Sequence, residues 1–389
     1  QGRALPAGAA AMVNACQIHN SEFDCVHEQA VVHPMAVLLG ALLAFMEREQ
    51  GRAGRCFSGR ELIDALVLGV DVAAGLGVAS HSGLRFFRPA TAGAFAATAA
   101  IGRLARFDTD CLLAAMGVTY GQLCGTMQAH TEGSPLLAMQ AGFNARNALL
   151  ACDLAARGVS GPRQILQGTF GYFALFEGEH DIDSVLRALG RKWRIEEVAH
   201  KPYPSGRATH GLVQACLGLA AQHGFNAAQV RSVRAAVPSL TQRLVGRLPL
   251  PNMGVNEARL CASFAAARAL IGGDLGLVDF ELAARCDERS LELARRIELV
   301  VDDNPDPNAL TPISVAITLQ DGTCHTSDVD TVYGNPARPM SRAAQLRKFR
   351  NNCAYGVKPL SVERCEASIC LIEEMDSVED LAVLLDLIF

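Results

Sequence analysis

The sequence predicts a mainly α-helical fold in two parts, a large all-helical domain and a smaller α+β lid-like unit inserted into it. Three observations carry this. From Pro34 to about Gly190, pieces rich in Ala, Leu and Gly repeat at helical period; near Lys192 the pattern changes to short alternating segments and tight turns; beyond Pro339 helical spacing returns. At 389 residues, half of them hydrophobic, the chain exceeds what one core serves. The expected boundaries are 1–195 for the helical part, 196–338 for the α+β unit, and 339–389 for helices packing back on the first domain.

The opening QGRALPAGAAAMVNAC already has a helix-like pattern without a start signal or initiator Met, so an upstream segment is expected. Ser58-Gly-Arg-Glu61 has the spacing of a capping box, and Leu62, Ile63, Leu66, Val67 and Val70 follow at helical period. Asp108 and Asp110 precede a helix over Leu112–Val118, while Gly158 and Pro162 separate two helices. Small residues crowd Ala90–Gly102 and Ala141–Ala156, where helices can approach closely. Trp193–Ala199 alternates like a strand and leads into the rigid turn Lys201-Pro-Tyr-Pro-Ser-Gly-Arg207, then a helix from Thr209 to about His223. Val230–Val237 and Ile297–Val301 read as strands. Ile313–Leu319, Gln320-Asp-Gly322 and Thr323–Val329 read as a hairpin with a type I′-compatible turn. Ser341–Asn351 is a polar amphipathic helix and Val378–Ile388 an apolar one.

A net charge of -5 and a pI near 6.1 argue against a general grip on nucleic acid, so a small partner is expected. The 13 cysteines lie in apolar periodic segments without a CxxC pair and read as buried thiols in a reducing compartment. Apolar stretches such as Ala36–Met46 fall short of the ~20 residues of a membrane helix. The uncharged run Cys111–Thr131 carries Thr119, Gln122, Gln128 and His130, a poor lipid face. With no signal-peptide pattern, a cytoplasmic location without a membrane partner is expected.

Two clusters could carry chemistry. Between Asn14 and His33-Pro34, His19, His27 and His33 alternate with Glu22, Asp24 and Glu28. Imidazoles titrate near neutrality and carboxylates orient them, so the segment suits proton transfer; it also suits a metal, or a polar loop whose histidines cap helices. No HExxH or Cys/His signature supports the metal. The second cluster is Lys201, Tyr203, Arg207 and His210. Here a proline-fixed turn meets a helix start, whose free amides and two cations could hold carboxylates while His210 exchanges a proton. Equally, Lys201 and Arg207 could be solvated turn charges and His210 a helix residue with a local partner.

The string N-A-x-x-x-H-x-x-E-F-D-x-x-H-x-x-x-x-x-H-P resembles the MmgE/PrpD family pattern of NG, a histidine, D-F-D-D and HP. RFFRPATAGAF, GVSGPRQILQGTFGYF, KPYPSGRATH, NEAR, GNPARPMS and KFR agree with it in order across nearly the whole chain. The resemblance implies a helical domain, an α+β lid, an active site in the cleft between them and a homodimer. It also implies chemistry without cofactor or metal on acids such as 2-methylcitrate, cis-aconitate or iminodisuccinate, by dehydration, decarboxylation or epimerisation. By position it assigns His33 and His210 as acid/base groups and Glu22 and Asp24 as orienting carboxylates. Lys201 and Arg207 would be carboxylate clamps, with Tyr203 and His27 in further substrate contact.

Departures from the family pattern narrow these expectations. Cys25 replaces the second paired aspartate, and Phe87 or Arg88 replaces a histidine. A lysine is missing around Leu137–Gly142, and Phe264 replaces a tyrosine. These changes argue against cis-aconitate decarboxylation and leave Arg88 to bind a substrate carboxylate. The leading expectation is a 2-methylcitrate dehydratase-like lyase acting on a small polycarboxylate beside one of its carboxylates. The alternatives are an isomerase or epimerase, a non-catalytic carboxylate binder, or a helical assembly subunit. All the enzymatic versions expect His33 and His210 to face one cavity ringed by cations.

Overall fold

The computed structural model describes residues 4–388. Eight α-helices build the first part among the described residues: α1 Ala7–Asn20, α2 Pro34–Ala53, α3 Gly59–Ala79, α4 Arg88–Leu104, α5 Thr109–Tyr120, the single turn α6 Gln128–Thr131, α7 Leu136–Ala155 and α8 Ile182–Ala188. At the centre is α4, where every residue but Arg103 is buried. It packs on α2, α3, α5 and α7, while α1 packs on α2 and α7. Small residues allow this density: a Cβ on Gly40 would lie 2.6 Å from the Ala15 amide nitrogen, so α1 and α2 touch backbone to backbone. The capping box at Ser58 and Glu61 forms, and Asp108 caps α5 through the Cys111 amide.

By length and composition α3 could cross a membrane, with a mean hydropathy of 2.0, contrary to the expectation that apolar stretches are too short. It is a core helix: 61% of that window is buried, and Asp71 within it binds Arg194 at 2.8 Å. All 13 cysteines are free, but Cys56, Cys286, Cys324 and Cys370 are exposed, which corrects the reading of them all as buried.

The second part holds a four-stranded sheet. With β1 Val26–His27 and β2 Val198–Ala199 forming a separate antiparallel pair, the sheet strands are β3 Val230–Val237, β4 Ile297–Val301, β5 Ile313–Leu319 and β6 Cys324–Val329, in order β4-β3-β5-β6. Only β3 and β4 run parallel. Helices His210–His223 and Ala262–Gly272 pack against the sheet, and Leu212, Cys216, Ala266 and Leu270 share a core with Val233, Val315 and Ile317. The hairpin turn is not type I′. Gly322 takes positive φ (+88°) but Asp321 does not, and the Gly322 amide bonds the Leu319 carbonyl; this is a type I turn closed by a left-handed glycine.

Trp193–Ala199 is a strand only at its end. Arg194–Glu197 forms a 3₁₀ turn, because the Arg194 guanidinium turns back onto Asp71 of α3. The strand β2 then pairs with β1 and so bridges the two parts next to the residues of interest. After helix Arg342–Tyr355 the chain returns to the helical core. The Gly59 amide bonds the Val378 carbonyl, the Leu381 amide bonds the Phe57 carbonyl, and Leu381 and Leu384 join the core around Leu38 and Phe45.

Candidate active site

Histidine 19 ends α1 and His33 immediately precedes α2, whose Pro34 sets the helix start. The connecting segment turns sharply: Glu22 and Val31 both adopt left-handed backbone at φ +51°, uncommon outside glycine. These turns bring both imidazoles to one carboxylate. His19 Nδ1 is 2.9 Å and His33 Nδ1 3.5 Å from Asp24 Oδ2, and the ring centroids are 5.0 Å apart. His33 Nδ1 also lies 3.0 Å from the Cys25 carbonyl. With acceptors at both Nδ1 atoms, each proton belongs there in the neutral rings, and each Nε2 is left free. His19 Nε2 is buried without a hydrogen-bond partner and lies 3.7 Å from Glu22 Oε1.

The second part supplies the positive charge. Lys201, fully buried, donates to Glu22 Oε2 (2.9 Å) and to the Glu22 carbonyl (3.2 Å), with Asp24 Oδ1 at 4.0 Å. From helix Arg342–Tyr355, Lys348 donates to the carbonyls of Phe23 and Lys201, both at 2.9 Å, and so clamps the two strings together. Arg259 Nη1 donates to the Asn20 carbonyl at 2.8 Å. His19, Asp24 and His33 offer ligand atoms within 4.8 Å of one another, close enough for a metal ion. The Lys201 ammonium already supplies the balancing charge there and would repel a dication, so the cluster suits proton transfer better.

A cavity of about 70 Å³ lies between the two parts, lined by His19, Glu22, His33 and His130 from one side and Arg207, Leu244, Leu260 and Leu310 from the other. Ligand sites usually span ~300–1,000 Å³, so this cavity is small for a bound acid.

Not all the expected residues reach this cavity. His210 is fully buried behind Arg207, its Nε2 3.2 Å from the Ser205 carbonyl and its Nδ1 3.3 Å from Arg207 Nη1; it does not share the cavity with His33 as expected. His27 spends Nε2 on Glu197 (3.1 Å) and accepts the Ala30 amide at Nδ1. Tyr203 packs edge-on to His210 and lines a separate cavity with Phe23 and Lys348. Arg88 cannot hold a substrate carboxylate: it is fully buried, its Nε and Nη2 forked onto Glu177 at 2.8–3.1 Å and its Nη1 on the Ala30 carbonyl. As the first residue of α4 it turns inward, and Phe87 faces the cavity instead. Sequence reasoning undervalued His19, which stands five residues before Asp24 in the same cluster, and missed His130, which carried no motif.

The two imidazoles at Asp24 are driven apart electrically. Burial is the largest influence on His33 and, with Lys201 and His19 beside it, outweighs Asp24 and brings its pKa down to about 4. Burial also opposes the charged form of His19, but the charge of Asp24 and its hydrogen bond, with Glu22, outweigh it and raise the pKa. Glu22 and Asp24 are held below the carboxylate range: burial works the other way, but Lys201 and His19 prevail at Glu22, and His33 and His19 at Asp24. Burial pushes His130 down to about 4, and burial with Arg207 pushes His210 well below its ordinary value.

A pH dependence of stability follows. Below pH ~6.5 the unfolded chain takes up protons that the folded His33, His130 and His210 refuse, so stability falls as pH drops. Glu22 and Asp24 extend the loss below ~4.5, while His19 alone works in the opposite sense. The thermal midpoint is expected to be lower at pH 5.5 than at 7.5, and a flat or rising midpoint by thermal shift would contradict this balance.

A buried cluster of imidazoles, carboxylates and cations between a helical part and an α+β part has the chemistry to move a proton on a small anion. Family comparison agrees: the MmgE/PrpD N-terminal domain matches residues 1–185 and the C-terminal domain residues 203–370. The chain belongs to the MmgE/PrpD family. Its relatives include cis-aconitate decarboxylase of Mus musculus, 27% identical over 396 residues (98% of this chain and 78% of the relative). The enzyme of that name from Homo sapiens is 27% identical over 405 residues (99% and 80%), and that from Aspergillus terreus 26% over 410 (100% and 82%).

Proposed function

We propose that this chain is a lyase that removes a proton beside a carboxylate of a small polycarboxylate and expels the group on the adjacent carbon. The carrying observation is the pair of imidazoles on Asp24 with oppositely shifted pKa values, since such a split assigns a base and an acid within one site. Similarity to cis-aconitate decarboxylases over nearly the whole of this chain supports the same reaction class.

In a dehydratase-like step, neutral His33 Nε2 takes the proton from carbon. The C–H electron pair becomes the new C=C bond, the C–O bond on the neighbouring carbon breaks, and protonated His19 gives its Nε2 proton to the departing hydroxide, which leaves as water. Arg207 and the imidazole of His130 face the developing enolate-like charge. Asp24 orients both bases, and Lys201 keeps Glu22 ionised and placed beside His19.

Small polycarboxylates, including 2-methylcitrate and cis-aconitate, can be screened by NMR in heavy water. At least one acid is expected to exchange its α-hydrogen with saturation, and loss of the leaving group separates a lyase from an epimerase, which would exchange without forming an alkene. Binding without exchange across the panel would mark a non-catalytic carboxylate binder. His19→Gln is expected to cut alkene formation roughly 10²-fold while sparing part of the exchange, because it removes the acid and leaves the base. Equal loss of both would remove this division of roles.

A further inference from the structure

We infer that the acid this site takes carries an apolar arm and two carboxylates at most; this rests on the proposed proton abstraction. The first ground is the supply of cationic donors. Lys201 is committed to Glu22 and does not line the cavity. Arg207, the lining guanidinium, gives Nε to Glu28 (2.5 Å), Nη1 to the Tyr333 carbonyl and His210 Nδ1, and Nη2 to the Val332 carbonyl, so one of its N–H groups remains. Lys201–Glu22, Arg207–Glu28 and His19–Asp24 are already close charge pairs. His33, neutral with its proton at Nδ1 facing the Cys25 carbonyl, has only an acceptor at Nε2, so the donors left for a ligand are that single N–H and the imidazole N–H groups of His19 and His130, enough for the carboxylate at the reacting carbon and one more.

The second ground is the remaining wall. Leu84, Phe87, Met127, Leu244, Leu260 and Leu310, drawn from both parts of the chain, make up much of the rest of the cavity lining, and Phe87 packs against the His19 ring. Closing these side chains over a third carboxylate would bury an ion with no partner, whereas an alkyl arm there gains burial on every methylene. Discrimination of roughly 10-fold or more per misplaced group is ordinary for such a pocket.

The matched test compares citrate with 2-propylmalate, which share the hydroxyl, the reacting CH₂ and two carboxylates and differ only in a carboxymethyl or propyl arm. With the full chain, kcat/KM for alkene formation, and deuterium exchange read in parallel, are expected to be at least 10-fold higher for 2-propylmalate. Leu310→Lys, at a half-buried position on the wall, is expected to move the ratio toward citrate. Citrate equal or faster in the unaltered protein would overturn the apolar arm while leaving the lyase reading intact. Neither acid exchanging or eliminating, with no activity on any acid of the wider panel, would remove the lyase reading and this inference with it.

Discussion

Replacing His33 with glutamine is expected to lower kcat by roughly 10²–10⁴-fold with KM little changed, the range typical for loss of a general base. Several features make this position the most sensitive. His33 lines the cavity, its Nδ1 is fixed by the Cys25 carbonyl and Asp24, and burial holds the ring neutral with a pKa near 4, so a base is present throughout the neutral range. Glutamine keeps a donor for the Cys25 carbonyl, so the loss would be chemical rather than a collapse of the loop. The control is His130→Gln, which alters the same cavity without touching Asp24; it is expected to raise KM and to lower kcat far less than His33→Gln. A His33→Gln enzyme within threefold of the parent in kcat would show that the proton goes elsewhere, and the pH profile offers a second check. Activity should persist toward the low pKa of His33 and decline at high pH as His19 loses its proton, until acid instability intervenes.

The largest stability effect is expected at Arg88. Its guanidinium forks onto Glu177, which also accepts from the Tyr172 hydroxyl at 2.8 Å, and all three side chains are buried. Arg88→Ala strands the Glu177 carboxylate without its cation, and breaking one half of a buried pair costs about 3–5 kcal/mol. For a domain of this size that corresponds to a fall in thermal midpoint on the order of 10 °C. The double change Arg88→Met with Glu177→Leu should recover much of the loss, since replacing both partners by apolar groups removes the stranded charge. Had Arg88 been a substrate clamp, as the sequence suggested, Arg88→Ala would raise KM at unchanged stability; that result would reinstate it.

Much of the helical frame was readable in advance because its causes are local. The Ser58 capping box, the Asp108 cap, Pro34 at a helix start and the alternation in β3 and β5 act within a few residues of one another, and each formed where its pattern lay. Where a long-range partner intervened, local pattern failed. Arg194 turned back to Asp71, 123 residues earlier, and cut the expected strand to two residues. Gly322 alone took positive φ, so the hairpin closed by a different turn.

The candidate site divides the same way. Composition and spacing identified the polar segment from His19 to His33 and the lysine–arginine turn at Lys201 and Arg207, because a dense run of imidazoles and carboxylates is visible without a fold. Which members face the cavity depended on the direction of each side chain after packing. The helix start at Arg88 sent the arginine to Glu177 and Phe87 to the cavity, Arg207 covered His210, and the last turn of α1 delivered His19 beside His33. Those outcomes follow from burial and charge pairing between segments far apart in the chain, a competition that no single stretch of residues records.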